Sequence, residues 1–126
     1  MIQYYCLNGE IVPAETASLK VTDLAILRGY AMFDYFLFES RQPYFFDDYL
    51  DRFENSAKRL GLEVPISREN LKSQIFRLIE TNGIDKGAIR LVLTGGYADD
   101  GYTPKNPNFV ILQHAFPILQ RQKMFQ

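Results

Sequence analysis

The hydrophobic period of this chain changes twice along its length. The first 46 residues carry short runs suited to strands, residues 47–82 repeat apolar side chains at helical spacing, and alternation returns from residue 88 onward. Strands, then two helices, then strands is the order of an α+β domain: a mainly antiparallel sheet with two helices packed on it.

The punctuation supports that order. Asn8-Gly9 between two apolar runs, 3–7 and 10–13, predicts a type I′ hairpin, whose central positions both need positive φ. Residues 14–28 read as an irregular crossing with a short turn near Asp23. In 32–38 both alternating sets are apolar, Phe33, Tyr35 and Leu37 against Met32, Phe36 and Phe38, so the run predicts a strand covered on both faces. A turn at 40–43 returns the chain, with Tyr44-Phe45-Phe46 expected to pair back. The first helix is expected from Asp47, its N-cap, to Leu60, burying Leu50, Phe53, Ala57 and Leu60. Gly61 stops it. Ser67 introduces the second helix, about 68–82, which buries Leu71, Ile75, Leu78 and Ile79 and ends at a left-handed Gly83. Strands follow at 88–94 and 109–115, joined by the polar loop 95–107.

Composition removes several function classes. The 126 residues suit one domain, and 47% hydrophobic with 23% charged residues gives a core rather than disorder. A net charge of -1 offers nothing to nucleic acid or to an anionic membrane. One cysteine, Cys6, and one histidine, His114, make neither an internal disulfide nor a zinc site. With no signal-peptide pattern at the start and no apolar run of spanning length, a reducing, cytoplasmic setting is expected.

No phosphate-binding loop, dinucleotide fingerprint or nucleophile elbow is present. Three features remain. Arg52 lies on the flank of its helix, where it either clamps a phosphate or serves as a surface arginine paired with Asp48 or Asp51. Arg28-Gly29-Tyr30 precedes the apolar strand, as a strand-entry turn or a close approach to a ligand. The loop 95–107 is either substrate-facing or a solvated hairpin tip. His114 reads as a structural or interface imidazole and Cys6 as a small buried hydrophobe. Arg90 pairs locally or lines a cleft.

Taken in order, LNGEIVP, RGYAMFDYF, YLDRFENSAKRLGLEVP and GAIRLVLTGG followed by GYTP resemble the N-terminal domain of the class IV aminotransferases, the fold-type IV pyridoxal phosphate enzymes. The resemblance covers residues 4–116 and implies residue roles. Arg52, in Tyr49-Leu50-Asp51-Arg52-Phe53, takes the place of the arginine that binds the cofactor phosphate, with Tyr49 where the family has histidine. Phe33 falls at the aromatic that lines the substrate pocket, with Tyr30 and Tyr35 beside it, and Gly96 and Tyr102 lie in the loop that contributes to that pocket. Relatives often carry arginine in this loop, whereas this chain has Asp100 before Gly101-Tyr102, which argues against capture of a substrate carboxylate by the loop.

The family's Schiff-base lysine belongs to a second domain and is expected beyond residue 126. Lys105 and Lys123 lack its sequence context, so no catalytic residue is assigned. Residues 1–116 are expected to be the N-terminal domain and 117–126 the start of an inter-domain linker. The 126 residues alone are then expected to be inactive and to bind pyridoxal phosphate weakly. The resemblance implies amino transfer between an amino acid and a 2-oxo acid, branched-chain-like, in a homodimer. The alternatives are an aminodeoxychorismate lyase that eliminates pyruvate and a non-catalytic dimerising or binding module.

Overall fold

A computed structural model describes residues 2–115 of the chain; the expectations for 117–126 and for Lys123 lie outside the described residues. Strand β1 (Tyr4–Leu7) turns at Asn8 and Gly9, φ 50° and 88°, into β2 (Glu10–Pro13), the expected hairpin. A 3-10 turn (Ala14–Thr16) and a one-turn helix α1 (Leu24–Leu27) follow. Then come β3 (Ala31–Glu39), β4 (Gln42–Pro43), α2 (Phe46–Arg59), α3 (Arg68–Asn82), β5 (Gly87–Thr94) and β6 (Phe109–His114). All strand pairs are antiparallel, in the order β2-β1-β6-β5-β3-β4.

Helices α2 and α3 pack on one face of the sheet. Leu50, Phe53 and Ala57 of α2, and Leu71, Ile75, Leu78 and Ile79 of α3, meet Phe36, Phe38, Ile89, Leu91, Phe109 and Ile111 in one buried cluster. Ion pairs lock the helices together. Arg68 reaches Asp51 (2.6 Å) and Glu54 (2.7 Å), and Lys72 reaches Asp47 (2.6 Å). Strand β1 pairs with β6 only at Cys6 and Leu7. Beyond that, Asn82 at the end of α3 satisfies the strand instead, accepting from Tyr4 N (3.0 Å) and donating to Tyr4 O (3.1 Å).

Several expectations are corrected. The crossing 14–28 is not wholly irregular, because Asp23 caps α1 by accepting from the Ala25 amide at 2.8 Å. Strand β3 is covered on one face only among the described residues: Phe36 and Phe38 are buried, while Phe33 on the other face is 62% exposed. The return pairing starts at Gln42 and Pro43, because Ser40 and Arg41 both take positive φ and turn the chain at once; Tyr44 extends it through its amide to the Leu37 carbonyl (3.0 Å), while Phe45 and Phe46 leave for α2. The residue before α2 is Phe45, left-handed and without a side-chain cap bond; Asp47 sits in the first turn, where Lys72 holds its carboxyl below the usual range. Leu60 is 40% exposed at the end of α2, and Leu62 beyond Gly61 is buried in its stead. Ser67 caps α3 through the Asn70 amide (3.2 Å), and Gly83 ends it at φ 67°.

Candidate functional site

β-Strand alternation decides where each candidate residue points. On β3, Met32, Asp34, Phe36 and Phe38 turn toward the helices, and Phe33, Tyr35 and Leu37 turn away. Asp34 is the one charge on the helix-facing set, and it is buried at 7% exposure. Arg52 explains it. From the second turn of α2 its guanidinium grips the Asp34 carboxylate through Nε (3.0 Å) and Nη2. The expected partners Asp48 and Asp51 are not used; Asp51 is taken by Arg68. The pair raises the Arg52 pKa further, mainly through the Asp34 hydrogen bond.

The Arg52 side chain remains 57% exposed and lies over the Tyr49 ring, 4.6 Å from its centre. Asp34 uses the Nε–Nη2 edge of the fork, so the Nη1 side is open to an anion. Strand β4 pairs only with Phe38 and Glu39, leaving the outer edge of β3 from Ala31 to Tyr35 without a strand partner among the described residues. The Tyr35 amide on that edge is met by the Asp34 carboxylate instead (2.8 Å). The guanidinium therefore stands beside an open strand edge, on the opposite side of the backbone from Phe33 and Tyr35. The residues present fit a phosphate handle.

On the face that carries no helix, Phe33 borders a shallow pocket of about 240 Å³ lined by Ala31, Met32, Arg90, Val92 and Leu112. Arg90 spans Phe33 and Tyr35, 5.1 and 5.3 Å from their ring centres. Its Nε and the Nε2 of His114 are buried without a hydrogen-bond partner. Tyr35 stacks on His114 at 6.4 Å. Burial first, and the neighbouring Arg90 second, lower the His114 pKa. An apolar wall around a cation suits a small apolar carboxylate. The sequence reading placed Arg90 in local pairing or in a cleft; the one charge on the alternating apolar run 88–94 was its available signal.

The other candidates lie elsewhere. Tyr30 packs toward the helices, and its hydroxyl donates to the Leu60 carbonyl, tying β3 to the end of α2. Tyr102, 64% exposed, lies in the loop after β5 with the Arg28 guanidinium 3.9 Å from its ring centre. Gly96, at φ 87°, is at the neck of the same loop. Structure thus groups Phe33 and Tyr35 with Arg90, sets Arg52 and Asp34 across the strand from them, and gathers Tyr30 and Tyr102 around the Arg28 guanidinium (5.2 and 3.9 Å from their ring centres), next to Gly96. Cys6 is buried at 1%, and burial raises its pKa, so its thiol stays protonated. Lys105 is a surface lysine paired with Asp99 at 3.2 Å. No cluster of potential metal ligands and no helix long and apolar enough to cross a membrane occur among the described residues.

Comparison with known proteins agrees with this fold. The sequence model of the amino-transferase class IV family matches residues 31–124. A putative branched-chain-amino-acid aminotransferase of Methanocaldococcus jannaschii is 28% identical over 99 residues, covering 79% of this chain and 34% of that protein. The aminodeoxychorismate lyase of Bacillus subtilis is 26% identical over 98 residues, covering 76% of this chain and 33% of that protein. Among solved structures, the branched-chain amino acid aminotransferase of Escherichia coli superposes with a TM-score of 0.84 at 22% identity, covering 92% of this chain and 40% of that one. This chain therefore spans about a third of the relatives' length, and the solved structure shares its fold.

Proposed function

From the premise that this chain belongs to the class IV amino-transferase family, we propose that it is the phosphate-anchoring, pocket-forming part of a pyridoxal phosphate enzyme that moves an amino group between an apolar, branched-chain-like amino acid and a 2-oxo acid. The observation that carries the reading is the Arg52 guanidinium, fixed by Asp34 with its outer edge free beside the unpaired edge of β3. Pyridoxal phosphate, when bound, supplies the electron sink that amino transfer needs. In this reading Arg52 binds its phosphate, Phe33 and Tyr35 wall the substrate pocket, and Arg90 offers the substrate carboxylate a cation. Gly96 and Tyr102 belong to the loop that faces the substrate, and Tyr30 supports the site from the helix side. The covalent lysine is assigned to the part of the relatives' length that this chain does not span, so the 126 residues by themselves transfer no amino group. The assembly is proposed to be a cytoplasmic homodimer.

Titration with pyridoxine 5′-phosphate, which has no aldehyde to condense with surface lysines, tests the anchor. We expect amide shifts around Asp34 and Arg52 with a dissociation constant on the order of 1 mM, as one charge-assisted clamp allows. Arg52→Gln removes them. An equal response to unphosphorylated pyridoxine, indifferent to Arg52→Gln, would refute the assignment. The lyase relative keeps a second reading in view. In an enzyme with the second domain added, glutamate formed from leucine and 2-oxoglutarate supports transfer, and pyruvate released with 4-aminobenzoate supports elimination.

A further inference from the structure

The loop between β5 and β6 is closed upon itself. At its neck Lys105 N donates to the Gly95 carbonyl (3.2 Å), and a Cβ on Gly96 would collide with the Asn106 carbonyl. At its tip the Asp100 carboxylate accepts from Tyr102 N (2.9 Å), Thr103 N (2.8 Å) and the Thr103 hydroxyl (2.6 Å). Those bonds to Thr103 and Tyr102 hold the Asp100 pKa down at about 2. Such a loop is a compact body with its ends together. It has internal order, yet nothing in that order fixes its angle to the sheet.

Asp23 supplies that constraint. Its carboxylate is fully buried at 0% exposure, and no ion pair reaches it among the described residues. One oxygen caps α1 at Ala25 N (2.8 Å). The other accepts from Thr94 Oγ1 (2.8 Å) and from Asn108 Nδ2 (2.7 Å), the two feet of the loop. The Thr94 hydroxyl in turn accepts from Gly96 N (3.1 Å) and Asn108 N (3.3 Å). Neighbouring backbone follows the same path: Leu24 N donates to Gly96 O (3.0 Å), and Ala98 N to Thr22 O (3.3 Å). Farther out, Arg28 Nη1 donates to the Tyr102 carbonyl (2.7 Å). A carboxylate buried without a cation is costly unless its oxygens are hydrogen-bonded, and here both are. A four-residue helix has no stability of its own to justify that cost.

We propose that Asp23 is the positioning residue of the 95–107 loop, joining both of its feet to α1 so that the loop and α1 keep one orientation relative to the sheet. The consequence for substrate rests on reading this loop as substrate-facing; the consequence for loop geometry does not.

Amide hydrogen exchange of the whole chain tests it. In Asp23→Ala the amides of Leu24, Gly96, Ala98 and Lys105 should exchange about ten- to a hundredfold faster, beyond any change in β3 or α3. Asp23→Asn keeps the acceptor for Ala25 but turns an amide NH₂ toward two donors, so it should restore α1 protection and only part of the loop's. Should Asp23→Ala fail to fold, Thr94→Val removes one donor and should loosen the same loop amides to a smaller degree. Arg28→Ala removes a bond to the Tyr102 carbonyl and none to an amide of the neck, so it should leave the neck protected. Acceleration spread evenly over the sheet, or none in the loop, overturns the proposal. Failure of the substrate reading shows separately: loop amides of the wild-type chain would ignore a 2-oxo acid while the exchange pattern held.

Discussion

The two faces of the sheet are built from the same strands and do different work. Toward the helices, Phe36, Phe38, Ile89, Leu91 and Ile111 are all but inaccessible and join one apolar cluster. On the other face, Phe33 is 62% exposed, and Arg90 and His114 each bury a nitrogen with no partner. The helix-facing side leaves one polar atom unmet as well, Gln113 Nε2, so exposure rather than polar satisfaction separates the two faces: the packed one sets the fold and the other keeps Phe33 open. Alternation places these roles one residue apart, so neighbouring substitutions on one strand should report different properties.

The largest expected effect lies on the packed side. Phe53 is fully buried, its ring 5.8 Å from that of Phe109. Phe53→Ala should cost about 3–5 kcal/mol, a large share of the roughly 5–15 kcal/mol a domain of this kind holds. Urea unfolding reads it as a fall in midpoint at unchanged slope. A loss under about 1 kcal/mol would mean that this face is loosely packed, and the contrast would weaken.

Much of the packed side was legible in the sequence, because local chemistry writes it. Asn8-Gly9 dictates its turn, Ser67 and Gly83 bracket α3, and Leu50, Phe53 and Ala57 recur at helical spacing. The open face was not. Both alternating sets of β3 are apolar over 32–38 apart from Asp34, and what covers a strand is decided by other parts of the molecule, not by its own pattern. Helix α1 has four residues, too few for a period, and its signal was the Asp23 cap alone. The pairs that place the candidate residues join positions 18 apart (Asp34 and Arg52) and 74 apart (Arg28 and Tyr102), beyond any local rule. Turn chemistry gave no warning of Phe45 either, where β4 and α2 impose positive φ on an aromatic.

Next in size is the half-buried charge on the open face. Arg90→Leu removes a guanidinium whose Nε lacks a partner, so stability should hold or rise by up to about 1 kcal/mol, and the carboxylate binding proposed for this face should be lost. A fall of more than that would show Arg90 to be a structural group. His114 gives the pH signature. Its folded pKa is lowered, so the unfolded chain takes up the proton first as pH falls. The contribution of neutral His114 to stability is therefore complete above about 6.5, its unfolded value, and is lost as pH drops from there toward the folded pKa. In Arg90→Leu the depression should shrink without vanishing, since burial, the larger cause, remains. His114 is the single histidine of the chain, so its ring-proton titration reads this without ambiguity.

The smallest expected effect is the sharpest comparison. Phe33 and Phe36 are three residues apart on β3, one exposed at 62% and one buried at 1%. Phe36→Ala should cost about 3–5 kcal/mol. Phe33→Ala removes little buried area and one ring contact with Arg90 at 5.1 Å, so it should cost less than about 1 kcal/mol. Its effect should appear instead in self-association, because Phe33 is the largest apolar side chain left open on that face. Sedimentation velocity at high concentration should show the wild-type chain shifted toward dimer and Phe33→Ala less so. If the two alanines cost the same, something already covers Phe33 in the free chain, and the two faces are one core.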